Sequence, residues 1–166
     1  NALSKRLEVV NCRDGFKHTI AFEYGEVVEP FKVEGETGEH GLFVRIIPDD
    51  TIFETVEFER DIIRQRLREQ AFLNAGVSLT LVDTRGEKPE EEQFCYEGGI
   101  RSFVDYLNKK KAAEVLHEEI IYMSGNKGTS IAEVAIQYND TYNETILTYA
   151  NNMNTIEGGT HEVGFK

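Results

Sequence analysis

The chain has 166 residues, 40% of them hydrophobic and 29% charged, and a formal net charge of −12. That balance can bury a core, and no apolar run approaches the roughly 18 residues of a membrane span. The acid is evenly spread, with 10 Lys or Arg against 16 Asp or Glu in residues 1–83 and 8 against 14 in residues 84–166, which argues against a chain that grips DNA by itself, because such affinity comes largely from neutralising phosphates. The opening Asn1-Ala2-Leu3-Ser4-Lys5-Arg6 lacks the apolar centre of a signal peptide. A first residue other than methionine suggests a piece of a longer chain.

In chain order, Asn1–Ser4 reads as a short helix end and Arg6–Arg13 as a strand. Asp14-Gly15 is a strong hairpin signal, with Lys17–Tyr24 as the returning arm. A turn-rich stretch is expected next, carrying Gly25, Pro30, Gly35, Gly38 and Gly41, and then a buried strand over Leu42–Ile47. The longest helical segment is Glu57–Leu73. There Phe58, Ile62, Ile63, Leu67 and Ala71 fall at helical spacing with Arg64, Arg66 and Arg68 between them. Asn74-Ala75-Gly76 supplies the stop.

Val77–Asp83 and Gln93–Tyr96 are the expected arms of a hairpin. The charged stretch Arg85–Glu92 between them is expected to be solvated. Ile100, Phe103, Val104 and Leu107 then form one apolar helical stripe. Lys109-Lys110-Lys111 suits the C-terminus of that helix, with a local basic patch as the other reading. Glu119–Ser124 reads as extended, and Ala132–Tyr138 alternates like a strand with one covered face. Asn139–Asn143 is a turn leading into Thr145–Ala150. Two units are expected, divided near residues 84–96.

Chemistry-bearing motifs are few. There is no GxxxxGK[ST] loop, no HExxH and no GxSxG elbow. Cys12 and Cys95 lie far apart and read as reduced, half-buried strand residues. His18, His40, His117 and His161 show no ligand spacing, so no metal site is expected. Glu90-Glu91-Glu92 and Glu118-Glu119 read as solvated surface, and two Asn-x-Thr triplets as turns.

One short phrase recurs: Tyr96-Glu97-Gly98-Gly99-Ile100 and Glu157-Gly158-Gly159-Thr160-His161. Each is physically a turn, since paired glycines permit sharp corners and close approach. With Phe103-Val104-Asp105-Tyr106-Leu107-Asn108-Lys109-Lys110-Lys111, Ala150-Asn151-Asn152-Met153-Asn154-Thr155 and Arg66-Leu67-Arg68-Glu69-Gln70-Ala71-Phe72-Leu73-Asn74, the chain resembles the B subunits of type IIA DNA topoisomerases. The likeness covers nearly its whole length. It favours gyrase, through Glu97-Gly98-Gly99-Ile100 and the helix that follows. Ser4-Lys5-Arg6 and Ile20-Ala21-Phe22-Glu23 would equally suit the topoisomerase IV paralogue.

The resemblance implies an α+β fold. Residues 1–90 would be the C-terminal part of a GHKL ATP-binding α/β sandwich. Residues 91–166 would be the N-terminal part of a transducer domain of ribosomal-protein type with a left-handed βαβ crossover, incomplete here. It implies a cytoplasmic parent that couples ATP and Mg2+ to DNA strand passage and supercoiling. The parent's partners would be a gyrase A subunit, double-stranded DNA and, on ATP binding, a second B subunit, with no membrane involved. The family's catalytic glutamate, its magnesium-binding asparagine and its glycine-rich lid lie upstream, so this piece alone is expected to be inactive and to hold no cofactor.

The part of the pocket that remains is its far wall. Arg13 falls at the family's rim arginine, a position also used by aminocoumarin inhibitors. Leu42 and Val44 fall where the family lines the adenine pocket. The family usually places Thr-Gly-Thr before that strand, where this chain has His40-Gly41-Leu42, and leucine offers no hydrogen bond to an adenine water network. A different reading of the same residues is a non-catalytic interaction module.

Overall fold

The computed structural model describes residues 1–166, in two compact units, Asn1–Phe58 and Glu59–Lys166. Period-two alternation in the first unit gives four antiparallel strands, β1 (Ser4–Arg13), β2 (Phe16–Glu23), β3 (Glu26–Glu36) and β4 (Gly41–Pro48), in the order β3-β2-β1-β4. Two-residue turns join the first three. Asp14 and Gly15 have φ of 55° and 83°, and Tyr24 and Gly25 have 49° and 87°. Both central residues are left-handed, the arrangement whose twist matches that of flanking strands.

Three expectations change here. Asn1–Ser4 is a turn closed by Ser4 N–H donating to Asn1 C=O at 3.1 Å, and β1 starts directly from it. The turn-rich stretch is instead the eleven-residue strand β3. Pro30 is tolerated there because β3 is an edge strand, where a missing N–H leaves no ladder bond broken. The register slips beside it, Thr19 facing Lys32, Ala21 facing Glu29 and Phe22 facing Val27. The third change is β4, the opposite edge strand, which is exposed along almost its whole length rather than buried.

Register sorts the sheet into two faces. Leu7 opposes Phe22 and Ile46, Val9 opposes Ile20 and Val44, and Asn11 opposes His18 and Leu42. The other face carries Arg6 opposite Glu23 and Glu8 opposite Arg45. There the Arg6 guanidinium donates to Glu8 at 2.6 Å, Glu23 at 2.7 Å and Glu29 at 2.6 Å. Those bonds, the one to Glu8 foremost, raise the Arg6 pKa, and the bond from Arg6 lowers that of Glu8.

In the second unit, α1 (Arg60–Leu73) packs with the hairpin β5 (Leu79–Asp83) and β6 (Glu90–Phe94) and with α2 (Ile100–Lys111). The α1 helix begins at Arg60 rather than Glu57, and the expected stripe holds only in part. Ala71 is buried and Ile63 and Leu67 are half-buried as expected, but Phe58 and Ile62 are exposed and the buried face takes in Phe72. Phe72, 1% exposed, stacks on Tyr96 at 3.7 Å and on Phe103 at 4.8 Å between centroids. With Phe94 these rings form the core of this unit.

Part of the charged stretch expected to be solvent loop is strand. Glu90 pairs with Asp83 and Glu92 with Leu81, and arginines of α1 hold both glutamates, Arg60–Glu90 at 3.0 Å and Arg68–Glu92 at 2.8 Å. A positively charged helix face converts an acidic run into a usable strand. The stop after α1 and the lysines in the last turn of α2 follow the sequence reading, with Gly76 at φ 77° and Ala112 a left-handed cap.

Beyond α2 lie the hairpin β7 (Ile121–Lys127) and β8 (Ser130–Ile136), the small hairpin β9 (Tyr149–Ala150) and β10 (Met153–Asn154), and α3 (Thr160–Phe165). β8 is exposed over its first half, and only the last two residues of Thr145–Ala150 form strand. Asn108 is buried; it donates to Gln137 at 2.8 Å and accepts from Asn139 at 3.0 Å, fixing α2 to the end of β8. No helix is long and apolar enough to cross a membrane.

Candidate functional site

Alternation along β1 and its register with β4 decide what shares a face with Arg13. Arg13 lies two residues beyond Asn11, and Asn11 and Val9 directly oppose Leu42 and Val44. The three sequence-derived residues therefore project from one face of the sheet. Leu42 and Val44 are 66% and 46% exposed, and Arg13 stands at the end of β1 with Nε 3.6 Å from the Asp14 carboxylate. An ion pair that exposed holds its partners weakly, so the guanidinium can turn toward an anion.

Two neighbours on this face were not singled out from the sequence. His18 stacks on Phe31 with centroids 5.4 Å apart, and its buried Nδ1 has no hydrogen-bond partner. Asn11 lies beside it across the β1–β2 pair. Both were legible in principle, because a strand's alternate residues line one face. The surface is thus an apolar wall with an amide, an imidazole and a cation toward one end. It can cover a flat ring and meet negative charge at its edge.

Metal chemistry finds no donor set here. No group of three or more His, Cys, Asp or Glu side chains is placed to hold an ion. Cys12 is buried in β1, whereas Cys95 follows β6 and is exposed, so only the first behaves as a strand residue. Glu90-Glu91-Glu92 corrects in part: Glu92 is held rather than freely solvated. The residue that sequence reasoning placed least well is Arg68. Read as one of the charges between apolar positions, it instead points into the aromatic core of its unit, with its side chain 21% exposed. Its partners are 24 and 38 residues away, beyond the reach of any helical pattern.

The arrangement of helices and antiparallel sheets matches solved structures of bacterial gyrase B proteins. The 43K ATPase domain of Thermus thermophilus gyrase B, solved in complex with an aminocoumarin, superposes with a TM-score of 0.85 at 40% identity, over 99% of this chain and 44% of that one. The gyrase B structure from Myxococcus xanthus follows at 0.80 and 28%, covering 98% of this chain and 47% of that one. The family model for DNA gyrase B matches residues 99–166.

Among curated proteins, the gyrase B protein of Treponema denticola is 46% identical over all of this chain and 26% of its own length. The corresponding B protein of DNA topoisomerase 4 from Enterococcus faecalis is 49% identical over all of this chain and 24% of its own. Along its whole length the chain is similar to gyrase B and topoisomerase 4 B proteins, and it spans about a quarter of the length of these relatives.

Proposed function

We propose that this chain is part of a gyrase B protein that couples ATP binding and hydrolysis to the passage of one DNA duplex through another, introducing supercoils. The observation that carries the reading is full-length similarity to gyrase B ATPase structures, joined to a sheet face whose exposed side chains suit an adenine ring. In this reading Leu42 and Val44 cover the base by apolar contact and Arg13 stands at the pocket rim. Residues 1–90 belong to the ATP-binding domain and residues 91–166 to the transducer, whose left-handed crossover is completed in the whole protein. Mg2+ is held by residues other than these. A gyrase A subunit, duplex DNA and a second gyrase B copy are the partners, and the work is done in the cytoplasm. The 166-residue chain alone does not hydrolyse ATP.

The test uses the full-length gyrase B protein with its gyrase A partner on relaxed closed-circular DNA. ATP-dependent negative supercoiling is the expected result. Decatenation and relaxation without supercoiling would assign topoisomerase IV, a reading that the Enterococcus relative keeps in play. Absence of any ATP-dependent strand passage would remove both. Calorimetry of Leu42→Thr in the same full-length protein checks the wall: nucleotide affinity should rise or stay level, and marked weakening would mean that Leu42 is misplaced.

A further inference from the structure

Between α2 and β7 the chain runs beside the residues that follow β8. Val115 bridges to Asn139 in the antiparallel sense. Leu116 N–H donates to the Tyr138 carbonyl at 3.0 Å, and Asp140 N–H to the Glu114 carbonyl at 2.9 Å. In a regular antiparallel ladder each such pair exchanges two main-chain bonds. Here side chains take the second place in both pairs. Glu114 N–H donates to Asp140 Oδ1 at 3.0 Å, and Tyr138 N–H donates to His117 Nε2 at 3.0 Å.

The partners of the His117 ring fix its proton. Nδ1 lies 2.6 Å from the Glu119 carbonyl oxygen. A carbonyl can only accept and an amide N–H can only donate, so Nδ1 carries the proton and Nε2 is bare. Of the three states open to an imidazole, only the neutral Nδ1–H form meets both partners. The imidazolium would turn a second N–H against that of Tyr138. Gln137 closes the arrangement: its Nε2 donates to the carbonyls of His117 at 2.9 Å and Glu118 at 3.3 Å, while its Oε1 accepts from Asn108 of α2 at 2.8 Å.

Charge around the ring favours release rather than retention of an imidazolium. The segment itself carries Glu114, Glu118 and Glu119, all exposed. The residues after β8 supply Asp140 and the Tyr138 phenol, whose ring stands edge-on to the imidazole with centroids 5.7 Å apart. From α2 come the neutral Asn108 and the lysines of the last turn, of which Lys109 pairs with Asp105 and Lys111 bonds Thr145. Both ring nitrogens are taken by main-chain groups, so no carboxylate holds the ring in the closed arrangement. Once freed and charged, it has several to turn to.

We propose that His117 is a proton-operated clasp: the neutral ring holds the α2–β7 connection against the residues after β8, and protonation releases it. The direction follows from the tautomer. The closed form admits only the uncharged ring, so the clasp is whole at alkaline pH and weakens as pH falls through the range in which imidazoles ordinarily titrate. If the domains divide near residue 90, the clasp lies wholly inside the second of them and makes that domain's interior acid-sensitive. The inference is independent of the functional reading above.

Hydrogen exchange read by mass spectrometry in the full-length protein tests it, with rates corrected for the intrinsic effect of pH. Protection of the Tyr138 amide should fall at least about tenfold between pH 7.5 and 5.5. His117→Gln keeps an acceptor near the place of Nε2 but cannot titrate in this range, so its protection should change less than about threefold. That variant leaves Asp140 and the other histidines as they are, which isolates the imidazole. His117→Phe keeps a ring without the acceptor and should be unprotected at Tyr138 already at pH 7.5. Equal protection of the parent at both pH values overturns the clasp, and so does an acid loss in His117→Gln as large as the parent's. A matching loss in the β1–β2 hairpin of the parent would mean general acid unfolding and would overturn it as well. A protein that fails to supercoil DNA removes the functional reading and leaves this result standing.

Discussion

Tyr149 shows how one atom can set a measurable property. Its hydroxyl is buried without a hydrogen-bond partner, and its ring lies 6.3 Å from Phe103. Burial, reinforced by the nearby Glu69 carboxylate, pushes its pKa up to about 12 from the ordinary 10.0. The unfolded chain therefore ionises first as pH rises, so the stability associated with neutral Tyr149 is whole below pH 10 and declines between about pH 10 and 12. Tyr149→Phe removes an unpaired polar atom, whose burial ordinarily costs about 1–3 kcal/mol. Thermal unfolding from pH 8 to 12 should show equal or higher stability at neutral pH and a flatter alkaline limb. A loss of more than about 1 kcal/mol at pH 8 would mean that the hydroxyl has a partner in solution. Nothing in the Thr148-Tyr149-Ala150 sequence announces this, because burial at Tyr149 is created by α1 and α2. The wall residues Arg13, Leu42 and Val44 differ in this respect. Alternation alone puts Leu42 and Val44 on one face, although only the pairing of β1 with β4 adds Arg13 to it.

Among the elements, three of the four two-residue hairpins share one backbone solution but not one sequence signal; the fourth, at Gly128-Thr129, is left-handed only at Gly128. Asp14-Gly15 is legible because both residues accept left-handed φ readily, whereas Tyr24-Gly25 and Asn151-Asn152 use the same conformation with less typical partners. The missed strand β3 has the same kind of origin: proline and glycines signal turns, yet an edge position neutralises the proline. The inward turn of the α1 arginines was hidden for another reason, since they are chosen by Glu90 and Glu92 from a distant strand. Asn152 offers a test at this scale. It combines φ 64° with a side-chain bond to Asn74 and a backbone bond from Gln70. Asn152→Gly keeps the turn and loses only the side-chain bond, for a cost of about 0.5–1.5 kcal/mol. Asn152→Ala adds the left-handed penalty of about 1–2 kcal/mol. Chemical denaturation should therefore rank the parent above the glycine variant and that above alanine. Equal losses would mean that the turn conformation contributes nothing beyond the Asn74 bond.

At the level of the whole molecule, the first sheet has an ion-paired face and an apolar face that remains largely open. Phe16, Val27, Phe31, Val33, Leu42, Val44 and Ile46 are all exposed, and contiguous apolar surface of this kind promotes association. The net charge of −12 opposes it by repulsion between copies. Charge and apolar surface respond to different variables, so their balance can be measured. Sedimentation of the 166-residue chain should show the smallest species at pH 8 and low salt. Mean mass should increase as 0.5 M NaCl screens the charge, and again as pH approaches the sequence pI of about 4.8. Val44→Lys, placing a charge in the middle of the apolar face, should suppress the salt-induced increase even though it reduces the net negative charge. Thr19→Ser, on the ion-paired face, should not. If Val44→Lys associates as the parent does, contact runs through the unpaired edge of β4 instead, since β4 has no neighbour beyond it to shield its backbone. The discrimination works because the two routes use the same strand differently: one needs its side chains, the other its amides.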